Sequence, residues 1–444
     1  MKLAAILLSI AAQFAVALLL IALGALQRFA YVFVFPLEGE TVFATNTILT
    51  PSEIAGVFLQ KLENNMVFGR TINRQYEANF GGKKIGDTIT ARLPSQWTVR
   101  TGLALSPQND QETSVPIKID TNKGVDILFS MNELNLSVEE FVQKVQIEDR
   151  ASDLAAAIEA DLASMYADVY NFVGTPGTTP ATFLALGAGI KRLNKLGVPA
   201  SPRQFVVDPD ADISMKDALK GVFVSEVAGN AIEDAPWTFP VVGAKPWMSQ
   251  LIPTHTCGTG TTTGGTPVMN GATLDGATQL VTNGWTAAKT LKKGDVFTVA
   301  SVYMVNSQTR AKTTDLQPFV ATADCVADGA GNMTIPIAPT IKLAGAYQNV
   351  DTLPLTAATI TPLTGTASVG YAQNLVYHRD AFALVTVNQE LPPNVWAAKA
   401  VSKSGLSLTI IKQYDINTHT MPCRIDVLYG KKAIQPRSAC RISG

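Results

Sequence analysis

Between residues 71 and 130 the sequence takes up a period of two, a pattern no globular helix can satisfy. Ile85, Thr88, Ile89, Ala91 and Leu93 sit in one alternating stretch bounded by Gly86 and Pro94, and Val115, Ile117 and Ile119 recur at every second position. Alternation of this kind marks half-exposed strands. Thr98 to Gln111, between the two arms, is polar and turn-rich. The sum is a long β-hairpin with an extended tip, residues 71–125. A lone two-stranded ribbon is marginally stable at best, and little in the neighbouring sequence offers to cover it. Identical molecules are expected to supply the missing surface.

The other strong signals are helical. Thr50, Pro51 and Glu53 have the order of a capping box with proline in the first turn, followed by Ile54, Phe58 and Leu62 at helical spacing. Ser137-Val-Glu-Glu140 is a second capping-box signature, and Phe141 to Val173 contains neither Gly nor Pro. Leu154, Ile158, Leu162, Met165, Val169 and Phe172 recur at steps of three and four, which predicts one apolar face. Asp149, Asp153, Glu159, Asp161 and Asp168 are assigned to the other faces, with Gly174 and Pro176 ending the rod. A helix over Thr182–Leu196, a strand over Gln204–Asp208, a helix over Asp212–Phe223 and a strand over Phe239–Gly243 follow, an alternating α/β or α+β unit. From Thr254 to Gln373 the texture becomes Thr/Gly-rich with short β-prone runs, as in a small inserted all-β barrel. Leu375–Val387 returns to the earlier unit, and Ser407–Tyr414 with Cys423–Tyr429 reads as an antiparallel hairpin.

Composition narrows the function classes. The chain has 444 residues, enough for two or three domains. Hydrophobic residues make up 47% and charged residues 16%, the latter below the roughly 25% of an average globular protein. Low charge suits a chain that covers much of its surface with copies of itself. A net charge of −1 gives no electrostatic footprint for gripping nucleic acid. Cys257, Cys325, Cys423 and Cys440 form no C-x-x-C pair and are too few for a disulfide framework, which fits a reducing compartment. His255 and Cys257 lie two apart, but no second pair completes a metal site. No metal or cofactor is expected.

Leu3 to Leu26 is almost wholly apolar. About 20 apolar residues span a bilayer core, and the run is longer than the roughly 7–15 residues of a signal-peptide core. It reads as a membrane anchor, an uncleaved signal, or translated sequence upstream of the true start. The last is favoured, because the body from Ala44 onward is complete without it.

No catalytic motif stands above background. Gly258-Thr-Gly260 lacks the following helix and G-K-[ST] of a phosphate cradle. His378-Arg379-Asp380 has no accompanying nucleophile motif. With three histidines in the chain, acid–base chemistry is thinly supplied. The protein is not expected to be an enzyme.

A colinear series of short matches carries a family resemblance. It runs through Ala44-Thr-Asn-Thr-Ile-Leu-Thr-Pro51, Ile72-Asn-Arg-Gln-Tyr76, Lys84-Ile-Gly-Asp-Thr-Ile89 with Arg92-Leu-Pro94, and Lys123-Gly-Val-Asp126. It continues through Ile158-Glu-Ala-Asp161, Tyr166-Ala-Asp-Val-Tyr170, Asp217-Ala-Leu-Lys-Gly-Val-Phe223 and Thr254-His-Thr256. Lys293-Gly-Asp-Val-Phe-Thr-Val-Ala300, with Val305-Asn306 and Thr309, and Tyr377-His-Arg-Asp-Ala-Phe-Ala-Leu384 complete it. Over residues 44–444 the chain resembles the major coat proteins of tailed bacteriophages with the Hong-Kong-97 fold, closest to the short-tailed Salmonella phage subfamily with an extra β-domain. Residues 1–43 have no counterpart there.

The resemblance implies an α+β Hong-Kong-97-type capsid fold with an inserted barrel-like domain. Its parts would be an N-terminal arm over 44–70, the extended hairpin over 71–125, and a peripheral domain with a spine helix over 126–200. An axial domain would cover 201–253 and 374–405, with the inserted β-domain at 254–373 and a C-terminal β-hairpin at 406–444. It implies a major capsid protein that forms pentamers and hexamers of an icosahedral head around double-stranded DNA. A scaffolding protein and a portal protein are the implied partners, the DNA is held without sequence-specific binding, and assembly takes place in the bacterial host cytoplasm. The rival class is a membrane-anchored β-rich surface or adhesion protein. Lys83, Lys84, Arg92 and Arg100 around the hairpin are expected to meet acidic residues of a neighbouring subunit. Asp153, Asp161 and Asp168 are expected on a solvated or intersubunit face.

Overall fold

The computed structural model describes residues 51–75, 88–100, 102–105, 107, 113–130, 147–218, 237, 240–263, 265–387, 389–393, 395–401 and 406–444. All belong to one compact unit, Ile48–Gly444. The apolar segment 1–43, Thr50, Lys83, Lys84 and the Ser137 capping signature lie outside the described residues. No described helix is long and apolar enough to cross a membrane.

Helix α1, Pro51–Asn65, starts on proline, whose missing N–H costs nothing in a first turn. It turns Ala55, Phe58, Leu59 and Leu62 inward at steps of one, three and four. The short α2, Phe68–Thr71, follows. Helix α3, Ile147–Ala163, buries Ala151, Leu154, Ala155, Ile158 and Leu162. These faces share one core with the inner face of a sheet built around the 14-residue strand Thr420–Ala433. That long strand pairs with Phe382–Val387 and Ser407–Lys412, and also with Thr121–Ser130; Trp396–Val401 forms the outer edge beyond Ser407–Lys412.

A second sheet runs in the order Phe172–Val173, Ala439–Ile442, Asn374–His378, Arg203–Val207, Lys245–Met248. Its two outer pairings are parallel and its two inner ones antiparallel. It packs on helices α4, Phe183–Lys195, and α5, Pro209–Ala218. The Thr182 hydroxyl accepts from Ala185 N–H at 3.2 Å and so caps α4. In α5, Asp212 accepts from the Trp237 indole N–H at 2.6 Å inside the core.

The segment Gly265–Pro362 makes a six-stranded sheet, ordered 360–362, 296–305, 312–321, 333–338, 279–285, 265–269. Its ends meet: Met269 N–H donates to Ala358 O at 3.0 Å, and Ala357 N–H to Met269 O at 2.9 Å. The sheet therefore closes into a barrel around Phe297, Phe319, Ile335 and Trp285.

Three sequence expectations change. The helix expected to run to Val173 ends at Ala163; a 3-10 turn covers Ser164–Asp168, and Phe172–Val173 is a strand edge. The stretch Val169-Tyr-Asn-Phe-Val173 is β-branched and aromatic, and pairing with Arg441 and Ile442 outcompetes a further helical turn. The strand expected over Phe239–Gly243 begins instead at Lys245, because Val241 and Ala244 close a tight turn on each other. Among the described residues the hairpin arms pair over Thr88–Arg92 and Ser114–Lys118, with Leu93 N–H donating to Thr113 O one step further, whereas Thr121–Ser130 belongs to the long-strand sheet.

Candidate assembly surfaces and a buried junction

The base of the hairpin is anchored within the subunit, which corrects the expectation that it finds no cover there. Ile89, Ala91, Ile117 and Ile119 point to one face and bury against Ala383, Val385, Leu428 and Ile434. Gly430 makes this approach possible: a Cβ there would meet the Lys118 carbonyl oxygen at 2.4 Å. Beyond Gln96 the cover ends. Trp97 is 51% exposed, Val99 96%, Leu103 100% and Leu105 83%. The segment read as polar and turn-rich thus carries three bare apolar side chains, Val99, Leu103 and Leu105, with the half-exposed Trp97 just ahead of it. Scattered exposed apolar residues are ordinary, but a run of four on one projecting tip marks an interaction surface.

The predicted charges fare unequally. Arg92 and Arg100 are exposed on the hairpin. Arg100 folds its guanidinium back onto the carbonyls of Gly102 and Ala104, so it shapes the tip. Asp153 is exposed on α3. Asp161 and Asp168, expected to face solvent or a neighbour, are engaged inside the subunit. Asp161 accepts from Lys431 Nζ at 2.5 Å and Tyr429 Oη at 2.8 Å. Burial pushes its carboxyl up, but the Lys431 and Tyr429 hydrogen bonds outweigh that and hold it below the usual range. Asp168 lies 3.5 Å from Lys293 Nζ, a partly exposed pair joining the end of the helix to the barrel.

Glu159, assigned to a polar face, is buried. Its carboxylate accepts from the backbone N–H groups of Val67, at 2.9 Å, Phe68, and Gly69, at 3.2 Å. Burial raises its pKa against the pull of these donors and of Arg74. The signal was present: Ala155, Glu159 and Leu162 lie at steps of four and three, on the apolar stripe itself.

A second buried polar group joins the barrel to the two sheets. His255 Nε2 lies 2.8 Å from Asp295 Oδ1, and His255 Nδ1 lies 3.1 Å from Tyr166 Oη. A carboxylate can only accept, so Nε2 carries the proton and Nδ1 accepts from the tyrosine. Asp295 also accepts from Gly258 N–H, Lys292 N–H and the Thr364 hydroxyl. Arg441, wholly buried, donates to Gly294 O at 2.8 Å and sits 5.2 Å from the Tyr166 ring centre. Burial lowers its pKa to about 10.

His255, Cys257 and Asp295 are close enough to hold a metal, but the chemistry argues for a clamp. The Cys257 thiol is pushed up to about 11 by burial and donates to Thr364 O at 3.0 Å. Asp295 and Arg441 already balance in charge, and every carboxylate oxygen of Asp295 has its donors. A divalent ion would have to displace these donors beside a buried guanidinium. The His378 motif is likewise structural. His378 Nε2 donates to Ser201 O at 3.2 Å, and Asp380 accepts from Asn73 at 2.6 Å, tying the segment after α2 to the core.

The bare apolar tip offers a docking surface, and the family match supplies the class: a structural coat subunit. The family described as P22 coat protein, gene protein 5, matches residues 44–443, and the chain belongs to it. It is a major capsid protein of the bacteriophage virion and not an enzyme. Its fold is the α+β Hong-Kong-97-type fold expected from the resemblance, with the inserted barrel in place. The chain is similar to a structure from Mycobacterium phage Che8, with 14% identity, 85% of this chain and 90% of that chain covered, and a TM-score of 0.42. It is similar to the mature capsid of bacteriophage PhiM1, with 12% identity over 81% and 82% of the two chains and a TM-score of 0.35. A solved CUS-3 coat protein I-domain shares 25% identity over 26% of this chain and 99% of its own, with a TM-score of 0.17. No curated protein sequence matches the chain. The family match begins at residue 44, and nothing among the comparisons supports the membrane-anchored alternative.

Proposed function

We propose that the subunit builds pentamers and hexamers of an icosahedral head that encloses double-stranded DNA. A scaffolding protein guides assembly in the bacterial host cytoplasm, and a portal protein occupies one vertex. The observation that carries this reading is the hairpin: its base is rooted in the subunit's own sheet, while its tip holds Trp97, Val99, Leu103 and Leu105 in water. A second copy covers that tip. A contact between different faces of identical molecules repeats head to tail and closes rings, the unit from which shells are made. Near-neutral charge suits a lining that encloses DNA without gripping it.

In this arrangement residues 44–70 act as the arm, 71–125 as the reaching hairpin, 126–200 and 406–444 as the peripheral domain, 201–253 and 374–405 as the axial domain, and 254–373 as the inserted domain. Arg92 and Arg100, with Lys83, Lys84 and Asp153, meet charges of the neighbour. The test is expression of the full chain and of residues 44–444, each with and without a scaffolding protein, followed by negative-stain microscopy. Closed shells in the scaffolded samples are expected. Monomers or amorphous aggregate throughout would overturn the reading.

A further inference from the structure

A cavity of about 300 Å³ opens where the hairpin base, the barrel and the end of the chain meet. Its walls are mostly apolar, from Leu93 on the hairpin, Tyr170, Leu196, Ala338 on the barrel, and Ile434 and Pro436 after the long strand. Small-molecule sites are concave and mostly apolar, with volumes from about 300 Å³ upward and a few polar groups that fix the ligand. A space of roughly 150 Å³ accepts a benzene ring, so this one takes a body of about two rings.

The charged groups beside it are cationic. The turn 306–310 joins two barrel strands and borders the cavity through Ser307. Asn306 Oδ1 accepts from the N–H groups of Gln308, at 2.8 Å, and Thr309, at 3.0 Å, and Ser307 Oγ donates to Leu196 O just past α4 at 2.6 Å. The turn so held carries Arg310, whose Nε and Nη1 are out of contact with water and have no hydrogen-bond partner. Arg437 lines the cavity, donates to the neutral Gln96 amide oxygen, and is close enough for its charge to act on Arg310. Among the described residues neither guanidinium has an acidic partner. Buried N–H groups left unmatched are destabilising, and two like charges side by side repel. One anionic group beside them offsets both effects, and an apolar body attached to it fills the cavity.

We infer that the cavity binds a small amphiphilic organic anion, an apolar body of about two rings bearing a carboxylate, with the carboxylate held by Arg437 and Arg310. Bound there, the anion ties the hairpin base, the barrel and the end of the chain together. A ligand that binds the folded chain alone stabilises it. The site is built within one subunit, so it goes beyond the shell reading and does not depend on it.

The probe is 2-naphthoate, titrated calorimetrically into the full chain, with naphthalene-2-methanol as a neutral body of similar shape. One naphthoate per subunit is expected, with a Kd of about 10–100 µM and binding of the alcohol about tenfold weaker or worse. Arg437→Gln is expected to weaken naphthoate about tenfold and leave the alcohol unchanged, a split that a general loss of structure would not produce. Gln348→Trp, on the cavity wall, is expected to abolish binding of both. Naphthoate should raise the thermal midpoint of the parent and not that of Gln348→Trp. No binding at about 1 mM naphthoate, or one affinity shared by the parent, Arg437→Gln and Gln348→Trp, overturns the inference. Equal affinity for the acid and the alcohol overturns it as well. Binding by free subunits that vanishes in assembled shells gives the cavity to a neighbouring copy and likewise overturns it.

Discussion

His255 Nε2 and Asp295 Oδ1 meet at 2.8 Å in the interior, joining the segment that enters the barrel to the turn before the strand Val296–Val305. Removing Asp295 leaves His255, Gly258 N–H, Lys292 N–H and Thr364 without their acceptor and takes away one of the two carboxylates, with Asp168, whose charge acts on Arg441. Buried donors left unmatched cost about 1–3 kcal/mol, more for charged groups. Asp295→Ala is therefore expected to lower stability by about 3 kcal/mol, measured by urea unfolding. A loss below 0.5 kcal/mol, on the order of a surface change, would rule out the clamp.

Glu159 performs a similar task between α3 and the start of α2. Glu159→Ala removes the acceptor for three backbone N–H groups and is expected to cost about 2–3 kcal/mol. Hydrogen exchange should localise the effect, with amide protection at Val67 to Gly69 falling before that of the barrel strands.

Asp161 predicts an acid-side loss of stability. Its folded pKa is held low, so its pairing with Lys431 and Tyr429 contributes above the unfolded carboxylate value of about 4 and disappears as pH falls through the lower folded value. Both partners are partly exposed, so the contribution is discounted to about 1 kcal/mol. Asp161→Asn should be less stable than the parent at pH 7, and the gap should close on acidification toward pH 2–3. A gap that stays constant with pH would show that the carboxylate's charge plays no part.

Gly430 admits the Lys118 carbonyl at a distance no side chain allows. Gly430→Ala forces the hairpin base off the sheet and is expected to destabilise by about 1–3 kcal/mol. Circular dichroism melts give the shift; an unchanged midpoint would mean the base is not anchored there.

Thiol chemistry offers a fifth check. All four cysteines are buried, and burial pushes the thiols of Cys257 and Cys423 to about 11 and that of Cys440 to about 12. A thiol reagent at neutral pH should find almost none of the four in the native subunit and all of them in denaturant.

Local pattern determined much of this protein. The alternation at Ile89, Ala91, Ile117 and Ile119 is a property of neighbours in the chain, as are the helix that follows Thr182 and the turn-rich texture of the barrel; each was legible because it depends on residues a few positions apart. The ordered run of family motifs carried the rest, including the shell function. Tertiary structure alone decided three things. Helix α3 stops at Ala163 because a strand edge some 270 residues away competes for Phe172 and Val173. Asp161 and Asp168 pair within the subunit because Lys431 and Lys293, far along the chain, lie beside them. Tyr166, His255, Asp295 and Arg441 act together only once the barrel is docked. Such contacts reward folding across long chain separations, and no short-range periodicity encodes which distant partner a charge will find.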